Sequence, residues 1–136
     1  MPNWCENTIS ITGPAEKLSP MYTKLIEDGD EGLCSILYPP PADMFKGNLG
    51  ENERKDCAEK GIPNWYDWQS SNWGTKWDVT AQNVEIEYED DEQLEVSFDT
   101  AWAPPEPICY RLREMFKDLH FSWFYDEPGM ETAGYL

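Results

Sequence analysis

Two runs of alternating residues, separated by a short polar loop, constrain the fold of this chain more than any other feature. Val84–Glu89 alternates apolar and acidic side chains, and Leu94–Asp99 repeats the pattern after the loop Asp90–Gln93. Two period-2 runs around a short polar loop indicate a β-hairpin with one buried face. The buried face is predicted to carry Val84, Ile86, Tyr88, Leu94, Val96 and Phe98. The opposite face is predicted to carry Glu85, Glu87, Glu89, Glu95 and Asp99.

The chain before the hairpin begins with a predicted strand and a predicted helix. Asn7–Thr12 alternates polar and β-branched residues, which favours a strand. Apolar residues then recur at helical spacing, namely Leu18, Met21, Tyr22, Leu25 and Ile26. Pro20 falls inside this segment. Either Ser19 caps a shorter helix with Pro20 at its first position, or the helix is kinked at Pro20.

The segment between this helix and the hairpin is less regular. Gly29 and Gly32 are predicted to end the helix, and Leu33–Tyr38 is predicted to form a short strand. A short polar helix is predicted at Glu51–Lys60, and a helical turn at Tyr66–Ser70. We predict a single domain over residues 1–136 that carries an insertion at about residues 39–80.

The chain after the hairpin predicts one helix and two extended segments. The helix begins near Pro107 and is predicted to bury Ile108, Leu112, Met115, Phe116 and Leu119. Phe121–Tyr125 is predicted as a strand, Asp126–Gly129 as a turn and Ala133–Leu136 as a short terminal piece. Without the insertion the order is β-α-β-β-α-β, which predicts an α+β fold of the ferredoxin-like, split β-α-β type. Its antiparallel sheet would have both helices on one face and would expose the acidic side of the hairpin.

The segment Asn64–Asp78 contains four of the seven tryptophans of the chain. Clustered tryptophans form either part of a core or a binding surface, because each has a large apolar body and a polar N–H. In the structural interpretation, Trp73 and Trp77 plug one end of the sheet together with Trp102. Gly74 then makes a tight connection between them.

The functional interpretation of the same segment is an aromatic cleft that stacks a base, a sugar or a peptide side chain. Trp65 and Trp68 are predicted to be its exposed aromatic pair. Such a cleft supports one candidate function, that of a small-ligand or nucleotide-binding protein, or of an unrecognised enzyme that uses nearby Asp or Lys side chains.

The net charge of −17 limits the possible partners. Direct binding to nucleic-acid backbones requires Lys and Arg to release counterions, and attachment to an anionic membrane is disfavoured for the same reason. The charge suits a basic protein partner, or serves solubility alone. The N-terminal residues lack a secretory signal and no run is apolar enough to cross a bilayer, so we expect a cytoplasmic protein.

The residue types that usually carry catalysis or bind metals form no recognisable pattern in this sequence. His120 is the only histidine, and Cys5 and Cys109 could act as nucleophiles only if it came close to them in the fold. The four cysteines form no zinc pattern, and no phosphate-binding motif occurs. The acidic run Asp90–Glu92 lacks the spacing of a calcium loop. The sequence therefore predicts no cofactor, no metal and no catalytic residue.

Four segments resemble a known family. They are Met1–Asn7, Asn72–Asp78, Phe98–Pro105 and Tyr125–Met130. The resemblance extends over nearly the whole chain. They are similar to the YubB-like family of small phage- and plasmid-encoded proteins, which carries a ferredoxin-like domain. The resemblance implies the fold and a setting in a bacteriophage or mobile element within bacterial cytoplasm. It implies no activity.

Charge and resemblance together predict a non-enzymatic interaction protein. We expect its acidic face to bind a basic surface of a host or phage protein, one that normally holds nucleic acid. The purpose would be inhibition of a defence or nucleic-acid-handling system. The residues predicted to bind the partner are Glu85, Glu87, Glu89, Asp90, Asp91, Glu92, Glu95 and Asp99.

Overall fold

The structure of the protein, a computed structural model, describes residues 3–27, 32–80 and 84–136. The strands are β1 (Trp4–Thr12), β2 (Glu85–Glu89), β3 (Gln93–Ala101), β4 (His120–Glu127) and β5 (Thr132–Tyr135). The α-helices are α1 (Ala15–Tyr22), α2 (Leu33–Leu37), α3 (Glu51–Lys60), α4 (Trp65–Asn72) and α5 (Glu106–Met115). A π-helical turn at Thr23–Glu27 follows α1, and a short 3₁₀ helix at Pro128–Met130 precedes β5.

The five strands form one antiparallel sheet in the order β2-β3-β1-β4-β5. The order of the first four is that of a ferredoxin-like fold, and β5 extends the sheet beyond β4. The central strand is β1, which pairs with β3 on one side and β4 on the other. The two halves of the sheet are therefore joined only through the first strand of the chain.

The core lies between one face of the sheet and the helices α1, α2 and α5. Alternate residues of the three central strands are buried there. Ile9, Ile11, Leu94, Val96 and Phe98 are buried as the alternation predicts, and β4 adds Phe121 and Trp123. The helices and the turn after α1 contribute Leu18, Met21, Leu25, Leu37, Ile108 and Leu112. Full burial of one such side chain stabilises the fold by about 1.5–3 kcal/mol. This burial fixes which face of the sheet points outward.

Asn7 is a polar residue at the centre of this core, with 1% of its surface exposed. Its amide nitrogen lies 3.0 Å from Thr100 Oγ1, 3.1 Å from the Cys5 carbonyl and 3.4 Å from the Phe98 carbonyl. Its amide oxygen accepts a hydrogen bond of 3.0 Å from the indole N–H of Trp123. The side chain thus connects β1 to both neighbouring strands.

A bulge in β2 corrects two predictions about the hairpin. Ile86 pairs with Val96 on the helix side as predicted, but it is 40% exposed rather than buried. Tyr88 then pairs with Glu95, so Glu87 is an extra residue. Because a bulge moves every later side chain to the other face, Tyr88 lies on the outer face. Glu89 lies on the helix side instead of the acidic side. β2 is an exposed edge strand, where such a bulge costs little burial.

The prediction of a strand at Leu33–Tyr38 is wrong, because this segment forms α2. The carboxylate of Asp78 accepts hydrogen bonds from the backbone N–H groups of Cys34 (2.7 Å) and Ser35 (3.0 Å). It also accepts one from the Ser35 hydroxyl at 2.6 Å. A negative group at a helix N-terminus satisfies free N–H groups and stabilises the helix. The cap comes from a distant residue, so local pattern could not indicate it.

The first helix begins at Ala15, so the interpretation in which Ser19 caps a shorter helix is wrong. Pro20 lies inside α1, and the π-helical turn Thr23–Glu27 comes directly after the helix. Proline has no N–H to donate, so a change in hydrogen-bond pattern close to it is expected. The predicted stop at Gly29 lies outside the described residues.

The last helix and strand also differ from prediction at their ends. α5 ends at Met115, and this last helical residue is exposed rather than buried, although its spacing places it on the stripe of Ile108 and Leu112. Phe116 and Leu119 follow the helix, and Leu119 is still buried. β4 continues to Glu127, so the predicted turn begins too early.

The segment predicted to be an insertion contains the two helices α3 and α4. α3 has the predicted bounds and ends at Gly61, whose φ of 68° is left-handed. α4 is longer than the predicted turn, and the Asn64 side chain caps it by accepting a 2.9 Å hydrogen bond from Asp67 N. None of the described helices combines the length and apolar character needed to cross a membrane.

Candidate functional site

The outer face of the sheet carries a row of carboxylates. Glu6 on β1 is paired with Asp99 on β3 and with Asp126 on β4, so three acidic residues lie side by side across the central strands. Directly opposed side chains have Cβ atoms about 4.5–5.5 Å apart. Glu85 and Glu87 line a shallow depression of about 320 Å³ beside Glu6 and Asp99. We call Glu6, Glu85, Glu87, Glu95, Asp99 and Asp126 the acidic sheet face.

The described strands contain no Lys or Arg. The ion pairs between described residues all lie elsewhere, on the helices, the insertion and the loop before β4. The charges of the acidic sheet face are therefore not neutralised by any described cation of the chain. A surface of this kind attracts cations and repels phosphates.

The structure brings only part of the predicted partner-binding set together. Glu85, Glu87, Glu95 and Asp99 lie on the acidic sheet face, whereas Glu89 is on the helix side, where it lines a hollow beside α1. The partner-binding role of these residues stays a prediction.

The acidic turn between β2 and β3 is exposed and lies at one end of the sheet. Its first residue, Asp90, accepts hydrogen bonds from the Tyr88 hydroxyl (2.7 Å) and from the backbone N–H groups of Glu92 (2.8 Å) and Gln93 (2.7 Å). The bond from Tyr88, followed by that from Glu92, lowers the pKa of Asp90. Asp90 is therefore engaged in the turn, and all three carboxylates of the turn, Asp90, Asp91 and Glu92, are exposed.

Sequence reasoning missed Glu6 and Asp126. The strand was predicted to begin at Asn7, but β1 begins at Trp4, and Glu6 continues the outward alternation of Thr8 and Ser10. Asp126 was assigned to a turn because Pro128 and Gly129 follow it. The period of two, extended by one or two residues at each strand end, was the signal that could have found both.

A second feature, the tryptophan cleft, lies at the end of the acidic sheet face. The ring centroids of Trp4 and Trp77 are 6.0 Å apart with an interplanar angle of 37°. Both side chains are well exposed, at 46% and 39%. A cavity of about 400 Å³ is lined by Trp4, Trp77, Asp78, Val79, Glu85, Asp99, Thr100 and Ala101. Glu85 and Asp99 belong to both features, so the cleft and the acidic sheet face are continuous.

A lysine of the chain itself already contacts this aromatic cluster. Lys76 Nζ lies 4.6 Å from the ring centroid of Trp77, 5.7 Å from that of Tyr66 and 6.0 Å from that of Trp65. A cation over an aromatic face is attracted by the ring quadrupole. The rings therefore have the chemistry of a cation-binding surface.

The predicted plug of Trp73, Trp77 and Trp102 is correct only for Trp73. Trp73 is buried, and its indole N–H donates a 2.8 Å hydrogen bond to the Tyr38 carbonyl. Trp77 and Trp102 are 39% and 49% exposed. α4 ends before Trp73, so a spacing of four no longer places two side chains on one side.

The tight connection predicted at Gly74 is present. Its φ of 79° is left-handed, and a Cβ there would lie 2.8 Å from Pro107 Cδ. This close approach joins the insertion to the start of α5.

Trp65 and Trp68, the pair predicted to be exposed, are half-buried. Trp68 packs edge-on against Trp73, with ring centroids 5.5 Å apart. Trp65 donates a 2.8 Å hydrogen bond from its indole N–H to the Gly47 carbonyl. Trp4 is more exposed than either of them. Sequence reasoning missed Trp4 because it precedes the predicted first strand. A ligand-binding role for Trp65 and Trp68 stays a prediction.

The candidate nucleophiles are poorly placed for catalysis. Cys5 and Cys109 are fully buried. Burial raises the pKa of Cys5 to about 11 and raises the pKa of Cys109 above its ordinary value. His120 is exposed at the start of β4, paired with Thr12. Among the described residues, no three His, Cys, Asp or Glu side chains form a group that could hold a metal ion.

Comparison with known proteins shows the fold. Residues 72–136 match a family described as a ferredoxin-like domain in Api92-like protein. The chain is also similar to the crystal structure of a protein api92 from Yersinia pseudotuberculosis, with a TM-score of 0.66 and 15% sequence identity. This similarity covers 99% of this chain and 93% of that one. No curated protein matches the sequence. The predicted ferredoxin-like fold is confirmed.

Proposed function

We propose that this protein is a non-enzymatic interaction protein that binds a basic surface of another protein through its acidic sheet face. The observation that carries the proposal is the row Asp99, Glu6 and Asp126 across three paired strands, with no Lys or Arg in the described sheet. Like charges on opposed positions destabilise a sheet. A partner that brings Lys and Arg to the face removes this repulsion on binding.

The sign of the charge indicates the kind of partner. Ferredoxin-like domains that bind RNA place aromatic and basic side chains on their open sheet face. Here that face is acidic, and the net charge of −17 opposes contact with phosphates. The face has the charge of a nucleic acid rather than that of a nucleic-acid binder. The partner we propose is a basic protein surface that normally holds DNA or RNA.

The proposed setting follows from the resemblance to YubB-like proteins of phages and plasmids. In this proposal the protein acts in the bacterial cytoplasm as the product of a mobile element. Its partner is a host or phage protein of a defence or nucleic-acid-handling system. Occupying the partner's nucleic-acid surface would inhibit that system by competition.

The test compares two matched variants in co-purification from bacterial lysate at low and high salt. Glu6→Gln/Asp126→Asn removes two charges of the acidic sheet face, and Glu53→Gln/Glu59→Gln removes two exposed charges of α3. We expect the wild type and the α3 variant to retain a stoichiometric basic protein at low salt and release it at high salt. The sheet variant should retain much less. Equal retention and salt dependence in all three proteins would refute the proposal.

A second candidate function is favoured by a separate cavity in the insertion. This cavity of about 450 Å³ is lined by Ser35, Pro40, Met44, Lys46, Trp65, Gln69, Trp73, Trp77 and Asp78. Its mixture of aromatic and polar groups suits a small ligand or a nucleotide. Quenching of tryptophan fluorescence by a metabolite or nucleotide, lost in Trp65→Leu, would support this function. A bound small molecule in the purified protein would do the same.

A further inference from the structure

We propose that the tryptophan cleft is the subsite that receives an arginine side chain of the basic partner. The inference rests on the proposed function and adds to it a specific anchor. Interfaces obtain most of their binding energy from a few residues, among which tryptophan and arginine are enriched. In the cleft, two exposed tryptophan rings share one cavity with carboxylates of the acidic sheet face.

Of the three carboxylates that line the cleft, one accepts hydrogen bonds within the chain and two are available to a ligand. Asp78 accepts hydrogen bonds from Cys34, Ser35 and its neighbour Val79, so its oxygens serve the cap of α2. Glu85 and Asp99 also line the cavity, and neither is in an ion pair with a described residue. They are the groups available to an incoming cation.

The aromatic walls favour a guanidinium group over other cations. Trp4 and Trp77 present exposed rings on the same cavity as the two free carboxylates. A guanidinium is planar, so it stacks on an indole face while its N–H groups donate to a carboxylate. A lysine ammonium is a strongly hydrated point charge and gains less from such a slot. Within the chain, Trp77 already makes one contact of this kind, with Lys76 Nζ 4.6 Å from its ring centroid.

The position of the cleft suits an anchor. Trp4 lies two residues before Glu6 on the same face of β1, and it is paired with Ala101 of β3. Asp99 lines the cleft and is also the first member of the row of Asp99, Glu6 and Asp126. A partner whose lysines and arginines face the row would therefore place one further side chain over the cleft.

The test uses capped hexa-arginine and hexa-lysine peptides of equal charge, with binding measured by calorimetry and tryptophan fluorescence at low salt. We expect wild type to prefer hexa-arginine by about fivefold or more, the range of a partly desolvated cation–π contact. Trp4→Leu/Trp77→Leu should bind both peptides equally. Glu85→Gln, which keeps both tryptophans, should reduce the preference for hexa-arginine. It provides the test if the double tryptophan variant folds poorly.

The outcomes separate this inference from the proposed function. Glu6→Gln/Asp126→Asn, which does not alter the cleft, should weaken both peptides alike and keep the arginine preference. If wild type binds both peptides equally but this variant weakens them, the acidic sheet face stands and the arginine subsite is overturned. An arginine preference that survives loss of the tryptophans also overturns the subsite. If neither peptide binds at low salt, both proposals fail.

Discussion

Replacing Asn7 with alanine should destabilise this protein more than any surface change, because one buried amide holds three strands together. Its amide N–H groups donate hydrogen bonds to Thr100 Oγ1 and to the carbonyls of Cys5 and Phe98. Its amide oxygen accepts a hydrogen bond from the indole N–H of Trp123. Loss of the two well-formed bonds that the amide donates, to Cys5 and Thr100, costs about 2 kcal/mol at about 1 kcal/mol each. The indole N–H of Trp123, fully buried, would also lose its partner, and an unsatisfied buried donor costs about 1–3 kcal/mol.

We therefore expect Asn7→Ala to lower the free energy of unfolding by about 3–5 kcal/mol. That is a large share of the roughly 5–15 kcal/mol typical of a domain. Urea titration followed by far-ultraviolet circular dichroism measures it. Ser10→Ala, on the outward side of the same strand, is the control and should change stability by less than about 0.5 kcal/mol.

The variant Asn7→Asp sharpens the test through its pH dependence. The carboxylate keeps an acceptor for Trp123 but loses the donors and buries a charge, so the pKa of the new group should be raised in the folded state. A raised folded pKa means that the penalty is absent below the unfolded pKa of about 3.9 and grows as the pH rises through the folded value. The deficit relative to wild type should shrink as the pH falls. A loss below about 1 kcal/mol for Asn7→Ala, or a pH-independent deficit for Asn7→Asp, would refute the reasoning.

Four further predictions follow from other features. Glu6→Gln should raise the free energy of unfolding by a few tenths to about 1 kcal/mol at low salt, and the gain should disappear near about 1 M salt; no gain at low salt would contradict repulsion within the row. Gly74→Ala should lower stability by about 1–3 kcal/mol, since it combines a left-handed φ with a Cβ close to Pro107; an unchanged melting temperature would contradict this. Cys5, with a pKa of about 11, should resist iodoacetamide at pH ~8 until urea unfolds the chain; rapid alkylation of the native protein would contradict its burial. A fragment of residues 72–136 should show no cooperative unfolding when it is alone, because it lacks β1. Cooperative unfolding should appear when the complementary fragment of residues 1–71 is added, and cooperative unfolding of the first fragment alone would contradict this.

The parts of the fold that local periodicity specifies were predictable from the sequence. The hairpin, α3 and α5 follow from patterns that lie within a few residues, and the order of elements then gives the ferredoxin-like topology. α2 was not predictable, because its cap is Asp78, which is distant in the chain. The bulge at Glu87 was not predictable either, because an exposed edge strand tolerates a shift in alternation without a signature in composition.

The negative charge of the candidate site was predictable from the sequence, but only some of its residues were. The acidic residues of β2 and β3 follow from alternation, but Glu6 and Asp126 become their neighbours only through the pairing of β1 with β3 and β4. The exposure of Trp77 depends on the backbone at Gly74, which turns the chain after α4. Side chains that meet through pairing of distant strands leave no local pattern.

The central position of β1 has a consequence for how the protein is made. Trp4–Thr12 is synthesised before the other strands of the sheet, yet its partners in β3 and β4 lie about 90 to 116 residues later, the separations that the bonds of Asn7 span. At about 5–20 residues per second, the first strand waits for several seconds or more before it can pair. Until β3 and β4 are made, both edges of β1 lack a strand partner, so chains truncated before β4 would be substrates for proteolysis.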